Sequence, residues 1–495
     1  MSTYARESKT WIIWLTIIAV IFAGVGIFFY YTLFRQSKSE LIEAIPADAS
    51  FIFALNDNDA FVAGSTCLRP YLDELFVMDA MPAFETMRGK LPVGEYDLTV
   101  SGHYDDNNAL KLLFNMHADK AAFKRLLRAL SIDPNNYVAF ENNRIYTYGT
   151  NYKSVKFVFL NHIISFSTDV ELLKRAIVQH AHPKNLLSDK QFKAMYQLSE
   201  KNRKQNWLII NPKKYTAHLS SYLNEEMSSQ LSKCLENAGW TAFQLRFSGN
   251  EMHLSGYTLV ENTDTENFEL QIKKTSDEME IVDLYPASVD CYTHLEIRNA
   301  RDFNLRRLFD NKQTIKDLAP SEIGYFTLYD DSIKYHYTIL LPNSEKSALE
   351  IFYQTAARAD SARAAHPDGF FQTPQIPQPL LKPLAPDSAT WFVETDKALV
   401  FADSKEALTV YQNSLKTAGS LTQNRLYPFV NEAVASTALL NFVIFNEENN
   451  TFWADHLSEK GKTSHFGKEL RIFSLSCDAV EESLHLIPVN LYVLF

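Results

Sequence analysis

The chain has 495 residues, which is too long for one ordinary hydrophobic core. Charged residues make up 22% and apolar residues 46%, so most of the chain is expected to fold. The net charge of −11, without any basic run, argues against a nucleic-acid partner, because phosphate binding needs concentrated Lys and Arg. Only 15 Gly against 34 Phe and 24 Tyr favours well-filled sheets over glycine-rich phosphate loops.

Near the start, residues 11–34 run from Trp11 to Phe34 without a charged side chain. A helix of this length rises about 36 Å, enough to cross a hydrocarbon core of about 30 Å. Aromatic residues follow where a signal peptide would need small ones, which favours an uncleaved anchor. We therefore predict a single-pass membrane protein in which Trp11 to Phe34 contact the lipid bilayer. Residues 1–10 would be a cytoplasmic tail, and residues 35–44 a linker to a periplasmic body.

The body contains short motifs that recur in the same order. PADASFIFAL at 46–55 corresponds to PASVDCYTHL at 286–295, and the segment 157–173 corresponds to 392–408. Both members of the second pair predict a hairpin, a polar turn and a helix that begins after a capping Thr, Asp or Ser. Strand pairs are predicted at the end of each half, so the last residues are expected to form a buried strand rather than an exposed tag.

Helices and antiparallel strands alternate without regular βαβ units, which is typical of the α+β class. The predicted fold is an N-terminal transmembrane helix followed by two tandem repeats of a mixed helix/antiparallel-sheet domain. The repeats would cover 45–260 and 284–495, joined by a polar linker at 261–283. Residues 366–388 contain six prolines, which predicts an extended surface insertion or a ligand for an aromatic groove. A single amphipathic helix is predicted at 215–237.

The motifs Ile45 to Ser50 (IPADAS) and Phe166 to Ile177 (FSTDVELLKRAI) resemble a family of membrane-anchored, extracytoplasmic proteins of Bacteroides-type bacteria. The resemblance covers most of residues 40–495. Because that family has no known function, the resemblance implies no active site. The second repeat departs from the motif, because Ser288 replaces the acidic Asp48. The resemblance further implies O-glycosylation at Asp-Ser motifs, here at Ser332, Ser361 and Ser388.

Catalytic motifs are absent from the sequence: it has no GxSxG, HExxH, Walker or GxGxxG pattern. The four cysteines are far apart, so isolated thiols and disulfides both remain open; they are Cys67, Cys234, Cys291 and Cys477. We predict no catalytic residue, no metal and no cofactor.

Three functions are compatible with this sequence. The first is a noncatalytic scaffold or interaction module of the cell envelope, with an envelope protein as its partner. The second is a binding protein for lipid or another apolar ligand. The third is an enzyme whose site is assembled from distant residues.

Overall fold

A computed structural model gives the structure of the protein. It describes residues 40–76, 97–105, 109–149, 154–182, 185–201, 205–234, 238–260, 279–296, 318, 320–330, 333–343, 348–353, 356–372, 391–433, 438, 440–446, 452–478 and 486–495.

Nineteen strands are present in the described residues. They are β1 (Phe51–Leu55), β2 (Leu98–Tyr104), β3 (Leu110–His117), β4 (Val138–Phe140), β5 (Asn143–Tyr148), β6 (Val155–Leu160), β7 (Ile163–Ser167), β8 (Trp207–Ile210), β9 (Ala238–Ser248), β10 (Glu251–Val260), β11 (Cys291–Glu296), β12 (Pro320–Asp330), β13 (Ile333–Pro342), β14 (Phe370–Gln372), β15 (Trp391–Glu394), β16 (Leu399–Ala402), β17 (Leu440–Phe445), β18 (Ile472–Cys477) and β19 (Leu486–Leu494).

The described α-helices lie between these strands. They are α1 (Asn58–Ser65), α2 (Arg69–Phe76), α3 (Lys120–Ala129), α4 (Val170–Ala181), α5 (Lys190–Lys201), α6 (Pro212–Ser220), α7 (Glu225–Cys234), α8 (Ala348–Tyr353), α9 (Ala356–Ala365), α10 (Lys405–Ala418), α11 (Tyr427–Ala433), α12 (Phe452–His456), α13 (Glu459–Thr463) and α14 (His465–Glu469). Short 3₁₀ segments precede the first strand of each half, at Leu41–Ala44 and Glu280–Leu284.

All strands belong to one antiparallel sheet. Its spatial order is β4-β5-β6-β7-β3-β2-β1-β8-β9-β10-β19-β18-β17-β11-β12-β13-β16-β15-β14. Read outward from the centre, the second half follows the same pairing order as the first, apart from β4. The halves meet where β10 pairs with β19, from Glu251 opposite Leu494 to Leu259 opposite Leu486. We call this pairing the seam.

The seam shows that the predicted fold class is wrong. The two halves are not tandem domains, because their last strands hydrogen-bond to each other and merge the halves into one sheet. Backbone groups left open at the edge of each half are satisfied by the other half, which removes two exposed edges.

Alternation of side chains along the strands gives the sheet two faces. Face 1, which includes Phe51 and Phe53, has one core cluster that continues through both halves. Face 2, which includes Ile52 and Ala54, has separate clusters: two in the first half and one in the second. Each large apolar side chain buried in these clusters contributes about 1.5 to 3 kcal/mol to folding.

Amphipathic helices cover both faces. On face 1, α3 buries Phe123, Leu126 and Leu127, and its N-cap Asp119 accepts a hydrogen bond from the Ala122 amide at 2.5 Å. On face 2, α4 buries four apolar side chains at helical spacing: Leu172, Leu173, Ala176 and Ile177. Local sequence therefore determines which stripe of each helix meets the sheet.

The two hairpin-and-helix segments are confirmed. Asn161 and His162 have φ angles of 37° and 73° in the turn between β6 and β7, the left-handed geometry of a tight hairpin. Asp169 then caps α4 through the Leu172 amide at 2.9 Å. In the second half, Ser404 caps α10 through the Ala407 amide at 3.2 Å, after β15 and β16. The buried C-terminal strand is also confirmed as β19.

The single helix predicted at 215–237 is two helices, α6 and α7. The chain turns after Ser220, and Asn224 restarts the helix by accepting a hydrogen bond from the Met227 amide at 2.9 Å. The apolar spacing continues through this segment, so it does not reveal the break that the capping Asn224 introduces.

Residues 261–278 of the predicted linker and 373–388 of the predicted insertion lie outside the described residues. At the end of the linker, Ile281 and Val282 are buried in the second-half core of face 2. At the start of the insertion, Phe370–Gln372 forms the edge strand β14.

The predicted membrane placement is overturned. Among the helices of the described residues, none has the length and apolarity that a bilayer crossing requires. The longest of those helices, α10, has 14 residues, whereas a crossing needs about 20. Residues 11–34, on which the prediction rested, lie outside the described residues. The single-pass, extracytoplasmic placement is therefore not retained.

Candidate functional site: polar groups inside the sheet

Of the three serines in Asp-Ser motifs, the structure describes only Ser361. It lies on the exposed side of α9, and its hydroxyl donates to the Ala357 carbonyl at 2.9 Å. Ser332 and Ser388 lie outside the described residues. Three cysteines are free thiols: Cys67 is exposed, Cys477 is half-buried and Cys291 is buried. Within the described residues, no group of three His, Cys, Asp or Glu side chains could hold a metal ion.

A carboxylate, an imidazole and a hydroxyl form a chain beneath the opening motif. His103 Nδ1 lies 3.0 Å from Asp48 Oδ1, and His103 Nε2 lies 2.9 Å from Ser101 Oγ. Both Ser101 and His103 project from β2 onto face 2, where the loop before β1 places Asp48 above them. Arg175 of α4 also donates to Asp48.

The protonation states follow from burial. Burial lowers the pKa of His103, more than its hydrogen bond with Asp48 raises it. Burial alone would raise the pKa of Asp48, but the hydrogen bond from His103 and the charge of Arg175 bring it down to about 2. We assign a neutral His103 that donates a hydrogen bond from Nδ1 to Asp48 and accepts one at Nε2 from the Ser101 hydroxyl.

These three hydrogen-bonded side chains have the order of a Ser-His-Asp triad, but both Ser101 and His103 are 0% exposed. A nucleophile has to reach its substrate, and this hydroxyl does not reach solvent. Instead, these hydrogen bonds hold the opening motif in place. Two further hydrogen bonds assist: Lys214 Nζ donates to the Ala47 carbonyl at 3.0 Å, and Ser50 Oγ donates to the Gly102 carbonyl at 2.9 Å. The sequence signal that was missed is the alternation of β2, which places Thr99, Ser101 and His103 on one side of the strand.

Acid titration tests the role of Asp48. Its pKa is lowered from 3.8 to about 2, so the stability it contributes is present above pH 4 and is lost as pH falls toward 2. Because the carboxylate is 46% exposed, we expect a loss of only about 1 kcal/mol after solvent screening. Urea unfolding at pH 7, 5 and 3 should show that Asp48→Asn approaches the wild type in stability as pH falls. A constant difference between the two proteins over this range would contradict the assignment.

The second half has a different buried pair. His294 Nε2 on β11 donates to Glu322 Oε2 on β12 at 3.0 Å. The same carboxylate accepts hydrogen bonds from the Glu280 and Ile281 amides, at 3.0 and 3.1 Å. Burial would raise the pKa of Glu322, but these hydrogen bonds lower it overall. The carboxylate therefore stays ionised and holds the start of the second half against the sheet.

A third cluster lies on face 1, where the two halves meet. Lys334 Nζ donates to His456 Nε2 at 3.3 Å, and the His456 carbonyl accepts from the Asn224 amide of the first half at 2.9 Å. Burial, with the charge of Lys334, lowers the pKa of His456 to about 4, so the imidazole is a neutral acceptor. His456-Leu457-Ser458 repeats the sequence of residues 218–220 in the first half. This cluster joins the halves through the helical layer.

Face 2 has a row of polar side chains that crosses the seam. The row contains, in spatial order, His294, Asn441, Ser476, Asn490, Ser255 and Gln244, from β11, β17, β18, β19, β10 and β9. Each member is directly opposite the next in the strand register. The row separates the apolar cluster of the second half from that around Trp207 and Trp240 in the first half. We call it the polar row.

Face 1 has an apolar surface close to the same seam. Leu440, Phe442, Phe473, Leu475, Cys477 and Leu491 lie side by side on β17, β18 and β19, and each is partly exposed. We call this group the apolar strip. The strand pairing places Leu208, Phe243 and Leu245 at the corresponding positions of the first half, and all three are buried. The six side chains pack against the face-1 core, but the second half covers them less completely than the first half covers its corresponding positions.

No family model matches this chain, and no curated protein matches its sequence. Weak likenesses to solved structures include crystal form I of TP0453, with a TM-score of 0.25 and 11% identity, covering 46% of this chain and 82% of that one. Crystal form III of TP0453 has a TM-score of 0.25 and 12% identity, covering 45% and 80%. Crystal form IV has a TM-score of 0.23 and 13% identity, covering 44% and 79%. Likeness at this level carries no argument about fold or function.

Proposed function

We propose that the protein is a noncatalytic scaffold or interaction module, and that the apolar strip is its contact surface for a protein partner. The apolar strip carries this proposal, because six neighbouring apolar side chains remain partly exposed on three paired strands. Contiguous apolar surface of this kind is typical of interaction sites. The burial of Ser101 and His103 supports a noncatalytic function, since the chain that they form with Asp48 fixes a loop.

Co-isolation from crosslinked cells of the native host tests the proposal. Leu475→Glu places a charge in the middle of the apolar strip, whereas Val178→Glu places one on α4, at a side chain that is already 48% exposed on the opposite face. The wild type and Val178→Glu are expected to recover the same partner in the same molar ratio of partner to protein. Leu475→Glu is expected to lose that partner. Recovery of no specific partner by the wild type, or an equal yield from Leu475→Glu, would reject the proposal.

Binding of a lipid or another apolar ligand is the second candidate, and the same partly exposed strip favours it. Native mass spectrometry of protein purified without detergent distinguishes the two functions. A bound small molecule that organic solvent removes, and that Leu475→Glu lacks, would support ligand binding. An empty wild-type protein would eliminate this candidate.

A further inference from the structure

The inner end of the polar row contains buried atoms that lack hydrogen-bond partners. His294, Asn441 and Ser476 are 3%, 2% and 0% exposed. Yet His294 Nδ1, Asn441 Oδ1 and Ser476 Oγ have no hydrogen-bond partner in the described part of the chain. Ser474 Oγ, two residues along β18 on the same face, has none either. Buried polar groups in folded proteins are almost always satisfied, so a polar molecule is expected here.

The outer end of the polar row is open. Asn490, Ser255 and Gln244 are partly exposed, and Asn490 is directly opposite Ser476. Neighbouring strands are about 4.8 Å apart, so the six side chains of the row span roughly 24 Å. A polar molecule bound along the row would contact partly exposed groups at the seam end and buried, unsatisfied groups at the other end.

The chemistry of the polar row specifies the kind of ligand. Its members are hydroxyls, carboxamides and one imidazole, and none is a carboxylate, an ammonium or a guanidinium. The charged groups beside it have partners: Glu251 is paired with His253 at 3.0 Å. Glu322 is paired with His294 at 3.0 Å, and the Arg246 guanidinium lies against the Gln244 side chain. Hydroxyls and carboxamides both donate and accept, which matches a ligand whose own groups do both. Tyr257 and Tyr492 lie two residues along the strands on the same face, where they offer aromatic surface beside the row.

We propose that the polar row binds a neutral, hydroxyl-rich ligand, a sugar or polyol. The ligand enters over Asn490 and Ser255, and its inner hydroxyls bond to Ser476 Oγ, Asn441 Oδ1 and His294 Nδ1. This site is on face 2, so it is independent of the apolar strip on face 1 and of the function proposed for that strip.

Isothermal titration with glucose, maltotriose and cellotriose, followed by a high-resolution crystal structure with the tightest of the three, tests the proposal. The wild type is expected to bind at least one probe with the sugar in the polar row. Ser476→Ala and Asn441→Leu each remove one hydrogen bond, so affinity is expected to fall about tenfold. Ser165→Ala is the matched control: Ser165 is likewise a buried face-2 serine without a described partner, but it lies on β7, far from the seam. Its affinity should be unchanged.

Ser255→Val provides a second test, because this side chain is partly exposed on a strand that tolerates a β-branched residue. It is expected to block entry and abolish binding while thermal unfolding stays within the range of the control. Three results would overturn the proposal: no binding of any probe by the wild type, equal affinity in Ser476→Ala, or a crystal structure in which ordered water alone bridges Ser476, Asn441 and His294.

Discussion

Gly256→Ala is expected to destabilise the protein by about 3 kcal/mol or more. Gly256 lies on β10, and a Cβ there would be 1.8 Å from the Ala242 carbonyl oxygen and 2.9 Å from Phe243 Cα. Both clashing atoms are backbone atoms of β9, so no side-chain rotation relieves the contact. Because β10 also pairs with β19, it cannot move away without opening the seam. Guanidinium unfolding of the purified variant measures the loss.

Gly249→Ala is the matched control for that experiment. Gly249 has a φ of +61° in the turn before β10, but no atom lies within 4 Å of the added Cβ. Only the left-handed backbone penalty applies, about 1 to 2 kcal/mol. If the two alanine variants unfold at the same denaturant concentration, then β9 and β10 are not as close at Gly256 as in this structure.

Glu322→Ala is expected to destabilise the protein by about 3 to 5 kcal/mol, the range for removing one member of a buried ionic pair. Glu322 is 7% exposed, and its two oxygens accept from His294 and from the Glu280 and Ile281 amides. Alanine leaves all three donors buried without an acceptor. Urea unfolding at pH 7 measures the effect.

Glu322→Gln separates charge from shape, since the amide keeps one acceptor oxygen. We expect an intermediate loss at pH 7. The folded-state pKa of Glu322 is lowered from 4.5, so its ionised form contributes stability above that pH and loses it as the solution becomes more acidic. The difference between wild type and Glu322→Gln should therefore shrink below about pH 4.5. A difference that grows on acidification would show that the carboxyl is protonated in the folded protein.

Local parts of the fold were predictable from sequence because their signals are local. The turn at Asn161 and His162 and the caps at Asp169 and Ser404 are determined by residues within a few positions. The closing strand β19 was indicated by the internal repeat, because the first half has a predicted strand at the equivalent place, His253 to Val260. The break before Asn224 was missed, since a capping asparagine inside a helical pattern also fits the polar side of one long helix.

The seam could not be predicted from the same signals. Nothing near Ser255 indicates that its neighbour across the sheet is Asn490, in the last strand of the chain. The polar row has the same difficulty: Asn441, Ser476 and Asn490 come from separate strands, and each looks like an ordinary polar residue on a half-buried strand. Asp48 and His103 come together only because the loop before β1 folds over β2. Contacts of this kind depend on register between distant strands, which sequence periodicity does not specify.

The antiparallel pairing at the seam relates two similar halves by an approximate two-fold rotation, as in a symmetric homodimer that interacts through its edge strands. Covalent connection of the halves makes their association intramolecular, with an effective concentration set by the connecting segment rather than by expression level. One consequence is freedom to diverge. Substitutions in one half need not occur in the other. Among the described residues, the apolar strip is therefore partly exposed in the second half alone, and the hydrogen-bonded chain of Asp48 forms in the first half alone. A true homodimer would have to present two copies of each surface.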